Sequence, residues 1–144
     1  MRWARKWLSR GFDLVLLRLF LNPTEHDGYW LGKQMYDAGL RDYQLRDGRY
    51  WTVSFAKWKR ILRFMPRLKY YKDLWDCDNS ADLVRVLVSL GWRLNAIGTV
   101  LNSQHAWNVV VTEDGVKHFE PQSLRWIPEP LMSIYSLDGA RVEI

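Results

Sequence analysis

The chain has 144 residues, 48% of them hydrophobic, with nine Trp, seven Tyr and five Phe, which is ample material for the core of a single domain. Its one cysteine excludes an internal disulfide framework and a cysteine-based zinc site. The net charge of +5 is unevenly spread: residues 1–75 hold 16 Lys/Arg against 7 Asp/Glu, and residues 76–144 hold 5 against 9. The basic part is a candidate docking surface for something anionic or for a protein assembly.

Arg2, Arg5, Lys6, Ser9, Arg10 and Asp13 share one arc of a helical wheel, and Trp3, Trp7, Phe12, Val15, Leu16 and Leu19 fall largely outside it. That pattern predicts an amphipathic first helix ending by Asn22-Pro23, either packed on the domain or docked on a membrane or partner. Asp13 and Arg18 interrupt the apolar run, and no small-x-small site follows, so no cleavable signal peptide is expected. No uncharged apolar stretch approaches the roughly 18 residues of a membrane span. A cytoplasmic or virion-associated location is therefore expected rather than secretion.

Residues 24–50, rich in Asp, Gly and Tyr, predict loop with short helix, closed by the Asp47-Gly48 turn. A second helix is expected over 52–64, with Thr52 or Ser54 as N-cap and Pro66 past its end. Its cations, interleaved with Trp58, Phe64, Tyr70 and Tyr71, suit nucleic acid or simply a solvated basic face. Cys77, Ala81, Val84 and Val88 recur at helical spacing, predicting a helix to Gly91 with Asp76 as N-cap. Strands are expected over 94–101, 105–111 and 116–120, and Asp138-Gly139 signals a hairpin before Ala140–Ile144. The pattern is α+β in a single domain over 1–144, with a basic, largely helical half (1–73) and a helix-plus-sheet half (74–144).

A thiol attacks as its thiolate, a form that a helix N-terminus and an imidazolium both favour. Cys77 opens its helix, though a small cysteine on a buried face also serves as a core residue. Of the three histidines, His26 lies in a polar stretch without a partner pattern. His105 starts a strand, and His118 shares its face at a greater distance from the thiol. Register decides the carboxylate. If Thr112–Gly115 form the loop, position 107 faces 120, and Glu120 becomes a diagonal neighbour of His105. If only Asp114-Gly115 form it, Glu120 faces Val109 and is too distant. Under either loop Asn108 points to the other face and is structural.

The runs Asp76-Cys77-Asp78-Asn79-Ser80-Ala81, Gln104-His105-Ala106-Trp107-Asn108 and Phe119-Glu120-Pro121-Gln122 resemble the papain-like peptidase domain at the C-terminus of fungal chimeric agglutinins. Small bacteriophage proteins carry similar runs, and the His-Ala-Trp strand also resembles transglutaminase-like peptidases. The resemblance covers roughly residues 74–122. It implies a papain-like fold with a Cys-bearing helix on an antiparallel sheet, and a triad of Cys77 nucleophile, His105 acid-base and Glu120 orienting carboxylate. It further implies acyl transfer from an amide or ester of a peptide or protein substrate through a thioester. Asp78 and Gln122 would support the site. Calcium enters as a cofactor by resemblance alone, and Asn79 stands where the family pattern favours a second acid. The oxyanion-hole Gln of papain-like enzymes is replaced by Tyr70 and Tyr71, which leaves Tyr71, Trp75 and the Cys77 amide as candidate donors.

Two other readings stay open. A peptidoglycan hydrolase also begins with Asp-Cys, but usually continues Ser-Gly and carries a His-Val-Gly-like strand, neither of which occurs here. A non-catalytic bacteriophage structural or host-interaction protein of the same fold would instead use its basic, aromatic first half.

Overall fold

The computed structural model describes residues 21–67, 69–71, 76–129, 131 and 133–144. The amphipathic helix expected at the N-terminus lies almost wholly outside these residues, as does Trp75. In chain order the elements are strand β1 (Thr24–Asp27), helix α1 (Gly28–Asp37), strands β2 (Asp42–Gln44) and β3 (Arg49–Thr52), helices α2 (Phe55–Leu62) and α3 (Cys77–Trp92), strands β4 (Ile97–Leu101), β5 (Ala106–Thr112), β6 (Gly115–Glu120) and β7 (Arg125–Ile127), a 3-10 turn (Ser133–Tyr135) and strand β8 (Arg141–Glu143). The α+β class holds.

Six strands form one sheet in the order β2-β8-β4-β5-β6-β7, and β1 pairs with β3 in a separate ribbon. All pairings in the larger sheet are antiparallel except β2 with β8. Every residue of β5 is buried, so both of its faces are covered. Val110 joins Val84 and Val88 of α3 and Trp58, Ile61 and Leu62 of α2 in one core. Trp107, Val109 and Val111 join Leu31 and Met35 of α1 in the other. The period of two along β5 thus assigns even positions to the α2–α3 side and odd positions to the α1 side.

Local chemistry accounts for the helix ends. Asp27 caps α1 by accepting the Trp30 N–H at 2.8 Å. At the start of α3, the Asn79 side chain accepts the Asp76 N–H at 3.3 Å in a capping box. The expected stop at Gly91 moves by one residue. Gly91 and Trp92 are both buried within α3, and Arg93 adopts the left-handed cap conformation at φ 54°.

Several expectations change. Residues 24–50 are not mainly loop: they contain a ten-residue helix and three strands, one of which, β2, extends the main sheet beside the C-terminal β8. The first half is accordingly neither largely helical among its described residues nor a unit apart. The second helix is shorter than expected, because Thr52 belongs to β3. The Thr52 hydroxyl bonds the Val111 carbonyl and accepts the Trp58 indole N–H at 3.1 Å. Asp138-Gly139 does turn the chain, with Gly139 at φ 65°, but β8 pairs with β4 and β2 rather than closing a local hairpin.

Asn108 lies on the even face as expected and is fully buried. Its Nδ2 donates to the Ala81 carbonyl of α3 at 2.9 Å and to the Gly98 carbonyl of β4 at 3.2 Å. One side chain therefore ties helix to sheet. Asn108→Ala is expected to lower stability by about 1–3 kcal/mol, because two buried carbonyls lose a donor. A melting curve measures this, and an unchanged midpoint would contradict the clamp.

Candidate active site

The β5–β6 register brings His105 and Glu120 together. Val111 faces Val116 and Asn108 faces Phe119, the alignment of the wider-loop alternative, with Glu113 and Asp114 at the tip of the turn. The Thr112 hydroxyl braces that turn, donating to the Gly115 carbonyl at 2.9 Å and accepting the Asp114 N–H at 3.0 Å. His105 Nε2 lies 2.6 Å from Glu120 Oε2. Both side chains are close to sealed, 10% and 8% exposed.

Glu120 accepts two further hydrogen bonds. The Tyr135 hydroxyl donates to Oε2 at 2.9 Å, and the Gln122 N–H donates to Oε1 at 2.9 Å. Burial pushes the Glu120 carboxyl up. The His105 ring, the Gln122 amide and the Tyr135 hydroxyl outweigh that push and hold it below the ordinary carboxylate range. Burial, together with the adjacent carboxylate, drives the Tyr135 hydroxyl up to about 12, so it remains a donor. An ionised Glu120 fixes the His105 tautomer. Nε2 carries the proton toward Glu120, and Nδ1 is left as the acceptor. Among the described residues no group bonds Nδ1.

Asn102 sets this geometry, and nothing in the sequence pattern singled it out. Its Oδ1 accepts the Gln104 and His105 N–H groups at 2.9 and 2.8 Å. Its Nδ2 donates to the Ile134 and Ser136 carbonyls at 2.8 and 2.9 Å. The same amide thus holds the strand start bearing His105 and the turn bearing Tyr135. Tyr135 was equally invisible in the sequence, since it reaches Glu120 only through that turn. Behind His105, the Trp107 ring is stacked at 6.2 Å, and its indole N–H donates to His118 Nδ1 at 3.0 Å. Burial holds His118 down to about 4, with the charge of Lys117 adding to the effect. His118 is therefore a neutral buttress and not a proton carrier near neutral pH.

Cys77 is half-buried at the first residue of α3. The Asn108–Ala81 bond places the first turns of α3 beside β5, and the chain reverses from α3 into β4, which is antiparallel to β5. Helix α3 therefore runs in the sense of β5, and Cys77 lies toward the sheet end where His105 begins. Helix α3 covers the even face, whereas Glu120 and the His105 ring occupy the odd face with Trp107 and Tyr135. Among the described residues no hydrogen bond joins the sulfur to His105. Imidazole and carboxylate are assembled; the thiol lies toward the same end with no hydrogen bond to either among the described residues.

The remaining expected site residues divide. Gln122 supports Glu120 through its backbone, while its own Nε2 is buried without a hydrogen-bond partner among the described residues. Asp78 accepts the Asn79 N–H at 2.8 Å, and a side-chain hydrogen bond with Asp76 holds its carboxyl below the ordinary range. Tyr71 is 51% exposed and faces solvent rather than a closed oxyanion pocket. The Cys77 amide belongs to the first helical turn, whose N–H groups have no intrahelical acceptor. Calcium finds no cradle: among the described residues no three His, Cys, Asp or Glu side chains converge to hold a metal ion. His26, unassigned from sequence, bonds Glu113 at 2.7 Å and stacks on Trp30 at 3.6 Å, bracing the β5–β6 turn. A cleft lined in part by Gln34, His118, Glu129 and Leu137 opens beside α1 and includes none of Cys77, His105 and Glu120.

Two buried perturbed groups, His118 and Glu120, shape the acid response. Below pH 6.5 the unfolded chain protonates His118 while the folded chain resists until about 4, so stability falls as pH drops through that window. The full effect is about 3 kcal/mol. Glu120, depressed in the folded chain, contributes stability above its unfolded value near 4.5, and that contribution is lost as pH falls further. Denaturant titrations across pH are expected to show a shallower fall between pH 6.5 and 4 in His118→Asn, whose Oδ1 replaces the acceptor for Trp107. An identical profile in that variant would contradict the buried neutral imidazole.

No protein-family model matches the chain, and a search of curated proteins finds no match.

Proposed function

We propose that the chain is a cysteine-dependent acyl-transfer enzyme, peptidase- or amidase-like, in which Cys77, His105 and Glu120 act in sequence. The observation that carries this reading is the sealed His105–Glu120 pair at 2.6 Å, at the sheet end toward which the helix start bearing the only thiol lies. The Glu120 carboxylate orients the ring through Nε2, stabilises imidazolium, and leaves Nδ1 to face the thiol. The His105 ring takes the thiol proton, the thiolate attacks an amide or ester carbonyl, and the imidazolium protonates the leaving group as the thioester forms. Water or an amine then attacks the thioester and regenerates the thiol. The Cys77 amide is the nearest backbone donor to the developing oxyanion. No step is assigned to calcium, because no cluster of His, Cys, Asp or Glu side chains is placed to hold it among the described residues.

A second reading draws on one specific observation, the lack of a hydrogen bond between Cys77 and His105. In it the His105–Glu120–Tyr135 cluster is a buried polar staple, and the protein is a non-catalytic structural or host-interaction component with the papain-like arrangement.

Iodoacetamide kinetics separate the two. Catalysis requires Cys77 of the intact chain to alkylate faster than free cysteine at neutral pH, with the rate falling about tenfold or more in His105→Ala. Glu120→Gln is expected to reduce acyl transfer by about 10²–10⁴, because the imidazolium loses its counter-charge. A Cys77 that reacts no faster than free cysteine, at the same rate in His105→Ala, would favour the staple.

A further inference from the structure

Between Asp47 and Asp73 the sequence holds eight Lys/Arg and no acidic residue. Helix α2 turns Trp58, Ile61 and Leu62 inward. The exposed positions 59, 60, 63 and 64 recur at helical spacing, so Lys59, Arg60, Arg63 and Phe64 form one outward stripe that continues past the helix end. Phe64 is 66% exposed, and Tyr70 and Tyr71 follow at 54% and 51%. Lys59 and Lys117 Nζ both lie over the Phe55 ring, at 4.9 and 5.8 Å, so β6 adds a cation to the same surface. The ion pairs among the described residues leave Lys59, Arg60, Arg63 and Lys69 without a carboxylate. Lys57 and Arg67, by contrast, are bound to the Leu21 and Ser123 carbonyls.

The partner follows from what the surface contains and lacks. Lipid insertion draws on exposed aliphatic side chains as well as aromatic ones. Among the described residues of this surface the exposed apolar groups are aromatic rings, and the exposed aliphatics Val86, Leu90 and Ile134 belong to other elements. Cations without acids attract phosphates, and solvent-facing rings offer stacking platforms for unpaired bases. A duplex keeps its bases stacked and has no use for such rings. We propose that α2 and residues 63–67 and 69–71 bind single-stranded nucleic acid, with Lys59, Arg60 and Arg63 on phosphates and Phe64 and Tyr71 stacking on bases. The proposal is independent of the thiol chemistry.

Fluorescence anisotropy of the full chain with labelled oligo(dT) and oligo(rU) of about 20 nucleotides, a matched duplex, and salt titration tests it. At about 50 mM salt the single strands are expected to bind more tightly than the duplex. Charge reversal in K59E/R60E/R63E is expected to weaken binding at least about tenfold and to flatten the salt slope by roughly 2, at about 0.7 per lost phosphate contact. F64A/Y71A is expected to weaken binding at least about fivefold with the slope unchanged. Circular-dichroism melts check that both variants are folded, and Arg60→Gln/Arg63→Gln replaces the triple variant if it is not. Three results would overturn the proposal: no oligonucleotide binding, equal affinity for duplex with F64A/Y71A silent, or binding to phosphatidylserine vesicles that oligonucleotide does not compete away.

Discussion

Strand β5 is enclosed on every side, by β4 and β6 at its edges and by helices on both faces. A strand so placed cannot slip, because a shift of one residue would exchange the contents of its two cores. It would drive Asn108 off the α3 carbonyl and bring Val110 against α1. The Thr112-braced turn then transmits this register to β6, which is how a carboxylate fifteen residues away arrives at the His105 ring. Fold and site thus share one constraint, the parity of a single buried strand.

Hydrogen bonds converge on the carboxylate beside the start of that strand. Glu120 receives an imidazole, a phenol and a backbone amide. Asn102 fixes both segments that deliver the first two. A buried carboxylate with three donors remains ionised, and an ionised carboxylate dictates which ring nitrogen of His105 holds the proton. That pairing leaves Nδ1 as the ring nitrogen turned away from Glu120. Chemistry needs that nitrogen to meet a nucleophile, and Cys77 is the only thiol the chain possesses.

Much of this was legible in the sequence, for identifiable reasons. Cys77, Ala81, Val84 and Val88 keep a helical period because α3 buries one face, and strands β4 to β6 read clearly because burial enforces their composition. The diagonal placement of Glu120 beside His105 was one of two registers that counting residues through the turn allowed, and the wider one is found. Helix α1 was expected only as a short helix without bounds, because its buried side needs only Leu31, Gly32 and Met35, with Tyr29 and Tyr36 facing solvent. Strand β2 was hidden because its pairing with β8 is parallel and joins residues about a hundred positions apart, which no local pattern records. Asn102 and Tyr135 were hidden for a similar reason: their roles exist only once the 133–136 turn folds back over the sheet end. The oxyanion assignment was least legible at Tyr71, because spacing from Cys77 says nothing about which way an exposed ring points.

The central claim is that thiol, imidazole and carboxylate form one relay across the end of the sheet. A crystal structure of the chain alkylated on Cys77 by a peptidyl chloromethyl ketone tests it most directly. The account expects the modified sulfur or the adduct oxygen within about 3.5 Å of His105 Nδ1, with the His105–Glu120 contact retained. An adduct directed into solvent on the α2–α3 side, with the imidazole untouched behind the sheet, would contradict it.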